Sequence, residues 1–298
     1  MQNLRWRWLT ALVLATGMVA VAGCGDDDDE ASNGSSSTTP ERTFAAGTTM
    51  KKLQDAGEVT IGVKFEVPPF GAKNPTTDEV EGFDVDLGRA IADELGVEAK
   101  FVEALSDNRI PFLQDGTTDV ILSTMTITAE RDEEIDFSDP YFVAEGRILV
   151  KKSDDSITGI DDLAGKKVCT ALGSTYEATL KEQAPKATVR AVDGYSDCLE
   201  LVQNGSVDAE STDDVILTGQ IIQDDSLKLV GEKLTTEPYG AGIKEGDTEF
   251  LAFVNEVFQK FKDDGRWATS YEKWVGQYTG EDRDPPTMPL KEALDLST

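Results

Sequence analysis

From Glu58 onward the chain alternates short β-branched runs with amphipathic helical stretches, an alternation that restricts it to an α/β architecture. Residues Val59 to Val63 read as a strand, ended by Pro68-Pro69. Asp84 to Leu95 reads as a helix with Leu87, Ile91 and Leu95 on one face and Gly96 as its stop. Glu98 to Val102 returns as a strand. Asn108 to Gln114 follows as a helix, with Ser106 and Asp107 as capping candidates and Gly116 closing it. Late in the chain Phe250, Leu251, Val254, Val257, Phe258 and Phe261 form an apolar helical stripe, which Trp267, Tyr271 and Trp274 continue; the spacing assigns these aromatics to a core.

One stretch is echoed. Leu113-Gln-Asp-Gly-Thr-Thr-Asp119-Val120 ends a helix, turns at glycine and enters a strand, and Val202-Gln-Asn-Gly-Ser-Val-Asp208-Ala209 does so in the same register. Two lobes on related βα plans would produce this; so would two unrelated copies of a common helix–Gly–strand turn. The first copy runs into Ser123, Thr124, Thr126 and Thr128, the second into Ser211, Thr212, Asp213 and Asp214. Ligands of open α/β sheets sit beyond the carboxyl ends of strands, so these clusters predict one cleft lined from two sides.

Across 298 residues the formal net charge is −29 and histidine is absent. No basic stripe exists to neutralise phosphates, which argues against nucleic acid as a partner. Without histidine there is no Ser-His-Asp triad, His-ligated zinc or His general base, and no cofactor is expected. At the start, Arg5 and Arg7 precede an apolar run from Leu9 to Ala22, too short to span a bilayer comfortably. Val21-Ala22-Gly23-Cys24 resembles the lipobox of bacterial lipoproteins, implying that residues 1–23 are a removable signal peptide and that Cys24 carries a lipid. The alternative is an uncleaved anchor helix; either places the bulk of the chain outside the cytoplasm. Residues 24–49, Asp-rich and then rich in Ser, Gly and Thr, read as a flexible acidic tether. With Cys24 acylated, Cys169 and Cys198 remain as a pair in an oxidising compartment. A disulfide is expected, contributing roughly 3–4 kcal/mol, with two buried thiols as the alternative.

Three further segments carry a resemblance. Gly82-Phe83-Asp84-Val85-Asp86-Leu87, Thr126-Ile-Thr128-Ala-Glu130-Arg131 and Ile135-Asp136-Phe137-Ser138-Asp139-Pro140-Tyr141 resemble the signature segments of the polar amino-acid binding proteins of ABC importers, the family 3 solute-binding proteins. The resemblance runs from about Val59 to Trp274. Gly62-Val-Lys64-Phe-Glu66, Ser106-Asp-Asn-Arg109-Ile-Pro111 and the positions of Cys169 and Cys198 look like those of actinobacterial glutamate-binding lipoproteins. The resemblance implies a two-lobed, type II periplasmic-binding-protein-like fold, each lobe a mixed sheet flanked by helices, with a two-strand hinge. Residues 50–147 and 241–280 would form lobe 1, residues 148–240 lobe 2, and residues 281–298 a C-terminal tail. Such a protein is expected to be a monomer that closes on free glutamate or aspartate and delivers it to a membrane permease.

The chemistry of a free amino acid gives these residues roles, because neither its carboxylate nor its ammonium can be buried unpaired. Arg131, three residues after the N-cap candidate Thr128, can fork onto the α-carboxylate beside free helix N–H groups and the hydroxyls of Thr124 and Thr126. Asp213, with Asp214 as substitute, suits the ammonium. By resemblance, Ser174 and Thr175 after Gly173 hold the α-carboxylate from the second lobe, and Phe83 packs on the ligand's aliphatic part, although alone it reads as core. Lys64, Ser106 and Arg109 are similar to residues that hold an acidic side chain. Arg131, Arg109 and Lys64 against Asp213 give a site of about +2, better suited to a ligand of net −1 than to a neutral one. If Lys64 points away, glutamine or asparagine becomes competitive. Two other classes remain open: a cyclohexadienyl or arogenate dehydratase of the same fold, and a receptor sensor domain, which would require a further membrane segment.

Overall fold

The computed structural model describes residues 42–296. The expected signal peptide, Cys24 and most of the expected tether lie outside the described residues. Among the described residues no helix is long and apolar enough to cross a membrane.

Helix α1 (Thr49–Ala56) leads into β1 (Glu58–Val63), then an antiparallel ribbon of β2 (Glu66–Val67), β3 (Gly71–Lys73) and β4 (Val80–Glu81). After it come α2 (Phe83–Leu95), β5 (Glu98–Glu103), α3 (Arg109–Asp115), β6 (Val120–Ile121), the short α4 (Ala129–Asp132) and β7 (Asp136–Phe137). Strand β8 (Phe142–Lys151) leaves for a second sheet, built with β9 (Lys167–Ala171), α5 (Tyr176–Gln183), β10 (Thr188–Val192), α6 (Tyr195–Gln203), β11 (Ala209–Asp213), α7 (Asp214–Gln223) and β12 (Leu227–Val230). Strand β13 (Thr236–Tyr239) returns, and β14 (Gly242–Ile243), α8 (Thr248–Asp263), α9 (Arg266–Tyr271), α10 (Gln277–Thr279) and α11 (Leu290–Asp295) complete the chain.

The two main sheets follow one plan. In the first, ordered β5-β1-β6-β14-β7, β1 is parallel to β5 and β6 while β14 runs antiparallel to β6 and β7. In the second, ordered β10-β9-β11-β8-β12, β9 is parallel to β10 and β11 while β8 runs antiparallel to β11 and β12. The sequence echo maps onto this equivalence. Asp119 Oδ2 accepts the Thr60 amide at 2.9 Å and Asp208 Oδ2 accepts the Lys167 amide at 2.7 Å, so each aspartate pins the entry of its strand to the start of β1 or β9. Each aspartate's own amide returns to the carbonyl of that partner at 2.8 Å. The glycines of the echo, Gly116 and Gly205, both turn through the left-handed region, with φ of 79° and 75°.

Strand β8 spans the two lobes: Phe142–Glu145 pair with β13, while Gly146–Lys151 pair with β11 and β12. Two antiparallel strands therefore connect the lobes, the arrangement in which a small backbone rotation becomes a large lobe movement.

Local chemistry explains several element ends. Asp247 caps α8 through the Phe250 amide at 3.2 Å, and Lys260 and Lys262 lie at its negative C-terminal end. Helix α3 departs from expectation: its N-cap is Asn108 and no side chain caps it, while the backbone of Ser106 and Asp107 lies against Gly173 of the opposite lobe. The aromatic stripe is broken at Gly265, with φ of 84°; Trp267 and Tyr271 are buried in α9, while Trp274 is half-exposed and donates to Asp86 at 2.7 Å.

Both ends of the described chain are more ordered than a tether or tail. Arg42 forks onto Glu256 at 2.8 and 3.0 Å, and the Phe44 ring meets Phe253 edge-on at 5.5 Å, so the slack expected up to Thr49 ends by Arg42. After Gly280 the chain crosses the hinge, where Arg283 donates to the Val143 carbonyl at 3.2 Å and pairs with Asp214 at 3.5 Å. Helix α11 then buries Ala293 against the lobe 1 cluster of Leu113, Ile127 and Phe137, supported by Met288, Leu290 and Leu294.

Candidate functional site

The carboxyl ends of β1 and β6 face those of β9 and β11. Lys64, one residue beyond β1, is 2% exposed and its ammonium donates to Ser123 O at 2.9 Å, Ser123 Oγ at 3.2 Å and Thr124 Oγ1 at 3.0 Å. Arg109, also 2% exposed, donates to Ser106 O and Ser123 O at 3.0 Å and to Thr124 O at 3.2 Å. The two cations thus converge on one carbonyl oxygen. Burial pushes the Lys64 pKa well below its ordinary value, and neighbouring Arg109 pushes the same way. Burial, with Arg131 beside it, brings Arg109 down to about 9. Neither cation has a carboxylate among its hydrogen-bond partners.

Arg131 follows its predicted local geometry: Thr128 Oγ1 accepts the Arg131 amide at 3.2 Å and caps α4. Its guanidinium donates to Thr126 O at 2.7 Å and, across the cleft, to Gly173 O at 2.8 Å. Arg109 reaches the same Gly173 carbonyl at 3.2 Å. Gly173 is required there twice over: its φ is 72°, and a Cβ would lie 2.6 Å from the Cα of Asp107 on the opposing lobe.

The remaining predicted residues fall into two groups. Thr126 Oγ1 and Thr175 Oγ1 both donate to Glu237 Oε2, at 2.6 and 3.1 Å, so the Thr175 hydroxyl faces the hinge rather than capping α5. Ser174 Oγ lies 3.1 Å from Thr170 Oγ1. Asp213, at the end of β11, accepts from the Tyr176 hydroxyl at 2.8 Å. Asp214 accepts the Glu145 amide at 2.9 Å and is engaged at the hinge. Phe83 is fully buried with its ring 5.4–6.5 Å from those of Phe70, Phe142, Trp267 and Tyr141. The ring contacts seen for Phe83 are thus those of a core residue that seats its neighbour Asp84. Cys169 and Cys198 are joined as a disulfide that ties β9 to α6.

Sequence reasoning missed several contributors. Thr124 has a φ of 42°, rare outside glycine, and Asp84 Oδ2 holds it there by accepting its amide at 2.9 Å while Tyr141 donates to Oδ1 at 2.9 Å. Glu237 arrives on β13, the returning hinge strand. Tyr195 opens α6 with its ring 5.9 Å from the Lys64 ammonium. Only Asp84 had a local signal, within Gly82-Phe83-Asp84. Glu237 and Tyr195 had none, because contacts across more than a hundred residues leave no spacing to read. The expected charge count is corrected accordingly: three carboxyl groups, Asp84, Asp213 and Glu237, and not Asp213 alone, lie near the three cations.

Burial, aided by Glu237, raises the Asp213 pKa to about 8, against an ordinary value of 3.8. The folded state therefore holds a proton that the unfolded chain releases near pH 4. The resulting stability is full below that pH and is lost as pH rises towards 8. Asp213→Asn should accordingly gain in melting temperature over the wild type between pH 5 and pH 8 in ligand-free thermal melts, by at least a few degrees, since ~1 kcal/mol moves a domain of this size by about 2–4 °C. A gap that does not change with pH would contradict the burial of an ionisable Asp213.

Two lobes on one plan, joined by two strands and closing cations, carboxylates and hydroxyls between them, define the two-lobed solute-binding class of type II. Comparison with known proteins agrees. The model of the bacterial extracellular solute-binding proteins, family 3, matches residues 59–277. The glutamine-binding protein GlnH of an ABC transporter in Bacillus subtilis (strain 168) is 40% identical over 237 residues, 78% of this chain and 86% of that one. The glutamate-binding protein GluB of Corynebacterium efficiens is 31% identical over 295 residues, 93% of each chain. An ancestral arginine-binding protein bound to glutamine superposes with a TM-score of 0.71 at 41% identity, over 74% of this chain and 98% of that one. The chain belongs to family 3 of the bacterial extracellular solute-binding proteins.

Proposed function

We propose that this chain is the solute-binding lipoprotein of an ABC importer, held at the membrane by a lipid on Cys24, and that it closes on a free acidic amino acid, glutamate or aspartate. The observation that carries the choice of ligand is the convergence of Lys64 and Arg109 on Ser123 O, two buried cations whose direct partners are carbonyl and hydroxyl oxygens. A side-chain carboxylate beside them restores the charge that burial opposes; a neutral amide cannot. In this reading Arg131 holds the α-carboxylate with Thr124, Thr126, Ser174 and Thr175, Asp213 takes the ammonium, and Lys64, Ser106 and Arg109 read the side chain. Closure then presents one joined surface to a permease.

Glutamine is the second reading, favoured by the corrected charge count and by the binding named for the 40% identical relative. Lys64→Met and Arg109→Met separate the two. Each is expected to weaken glutamate binding by about 30-fold or more, the usual consequence of removing one partner of a buried charged pair, with a much smaller effect on glutamine. An unchanged preference between the two ligands in calorimetric titrations would rule out this side-chain assignment.

A further inference from the structure

The cleft residues are not the only groups that join the lobes. Glu66, at the start of β2 in lobe 1, projects its carboxylate onto the N-terminus of α6 in lobe 2, accepting the Tyr195 amide at 3.3 Å and the Ser196 amide at 2.6 Å. Helices α1, α4 and α8 are capped by side chains of their own flanking residues, Thr48, Thr128 and Asp247. At α6 the N-cap is Gly194, which has no side chain to offer. The free amides and the positive end of this helix are therefore met by a carboxylate from the other lobe.

Two residues further on, the Pro68 carbonyl rests against Gly219, in the middle of α7. A Cβ at Gly219 would lie 1.7 Å from that oxygen and 2.8 Å from the carbonyl carbon, both backbone atoms that cannot swing away. Glycine is among the poorest residues for a helix interior, so its presence in α7 runs against local preference and serves the approach of the other lobe. Between these contacts the space is nearly filled: a cavity of about 20 Å³ remains among Glu66, Pro68, Tyr195 and Gln220.

We propose that Glu66 and Gly219 are positioning residues for ligand capture: together they form a clasp, beside the ligand cleft, that holds the lobes closed. The segment from Lys64 to Pro69 carries a cleft cation at one end and the clasp at the other, so seating the ligand and engaging α6 and α7 occur together. The clasp rests on the hinge-closure reading above, and it predicts a division of labour. Glu66 acts after closure and controls release, whereas Gly219 provides the clearance without which closure stops short.

The test is stopped-flow binding of glutamate together with small-angle scattering, with and without ligand, for the wild type, Glu66→Ala, Glu66→Gln and Gly219→Ala. Glu66→Ala is expected to dissociate about tenfold faster with association changed less than threefold, and Glu66→Gln to fall between it and the wild type. Gly219→Ala should melt at or above the ligand-free wild-type temperature, because alanine favours the helix. It should nevertheless bind about 30-fold more weakly and stay expanded when ligand is added. If the variants release ligand and compact as the wild type does, the clasp is wrong. If the wild type binds no amino acid, the functional reading fails instead. Transient closure without ligand then still decides the clasp: if a cysteine pair introduced across the two lobes cross-links as fast in Gly219→Ala as in the otherwise wild-type protein, the clasp is refuted; slower cross-linking supports it.

Discussion

Arg131→Ala is expected to abolish useful amino-acid binding, weakening it by roughly 30- to 5,000-fold, or about 2–5 kcal/mol. The size follows from where the guanidinium sits. It is half-buried, its pKa is lowered first by desolvation, and it bridges Thr126 O in lobe 1 and Gly173 O in lobe 2. Truncation removes both the anchor proposed for the α-carboxylate and a direct tie between the lobes. The substitution should spare the lobe itself, because the fold of α4 depends on the Thr128 cap to the Arg131 amide, which alanine retains. The informative readout is the melting temperature with and without glutamate: the ligand-free value should stay near wild type while the ligand-induced increase disappears. A retained increase would mean that the carboxylate is held elsewhere.

The second large effect is on stability. Cys169 and Cys198 are both fully buried and close a loop with a sequence separation of 29, for which chain-entropy reasoning gives about 3–4 kcal/mol. Replacing both with alanine should lower the melting temperature by roughly 6–16 °C. Some effect on binding should accompany it. Cys198 sits one turn after Tyr195 and Ser196, so the disulfide fixes the helix that carries the aromatic neighbour of Lys64 and the amides met by Glu66. A double-alanine protein with wild-type melting behaviour would show that the loop is already ordered in the unfolded ensemble.

How far the sequence could be read depended on the range of the interaction. The apolar pattern marks helices α2 and α8 and strand β1, since their apolar residues pack into one core. The echo at Asp119 and Asp208 was legible as a pattern, yet its cause, an aspartate pinning the start of the neighbouring strand, became clear only with the pairing of β1 with β6 and β9 with β11. The cleft cations lie in recognisable segments, and the structure brings Lys64, Arg109 and Arg131 around Ser123, Thr124 and Gly173. The site's other carboxylates were harder. Asp84 lies within a signature segment at the start of α2, and only its contact with Thr124 shows that its carboxylate holds that residue in a strained conformation. Glu237 lies 111 residues from Thr126, and nothing local announces that contact. The terminal segments misled for a different reason. Polar composition reads as slack, but Phe44 and Ala293 each find an apolar seat on lobe 1 that composition does not reveal.

The central claim, capture of a free acidic amino acid, is tested most directly by calorimetric titration of the protein with a panel of amino acids. The account predicts one-to-one binding of glutamate or aspartate, tighter than that of glutamine. Silence towards every amino acid, with prephenate or arogenate consumed instead, would contradict it.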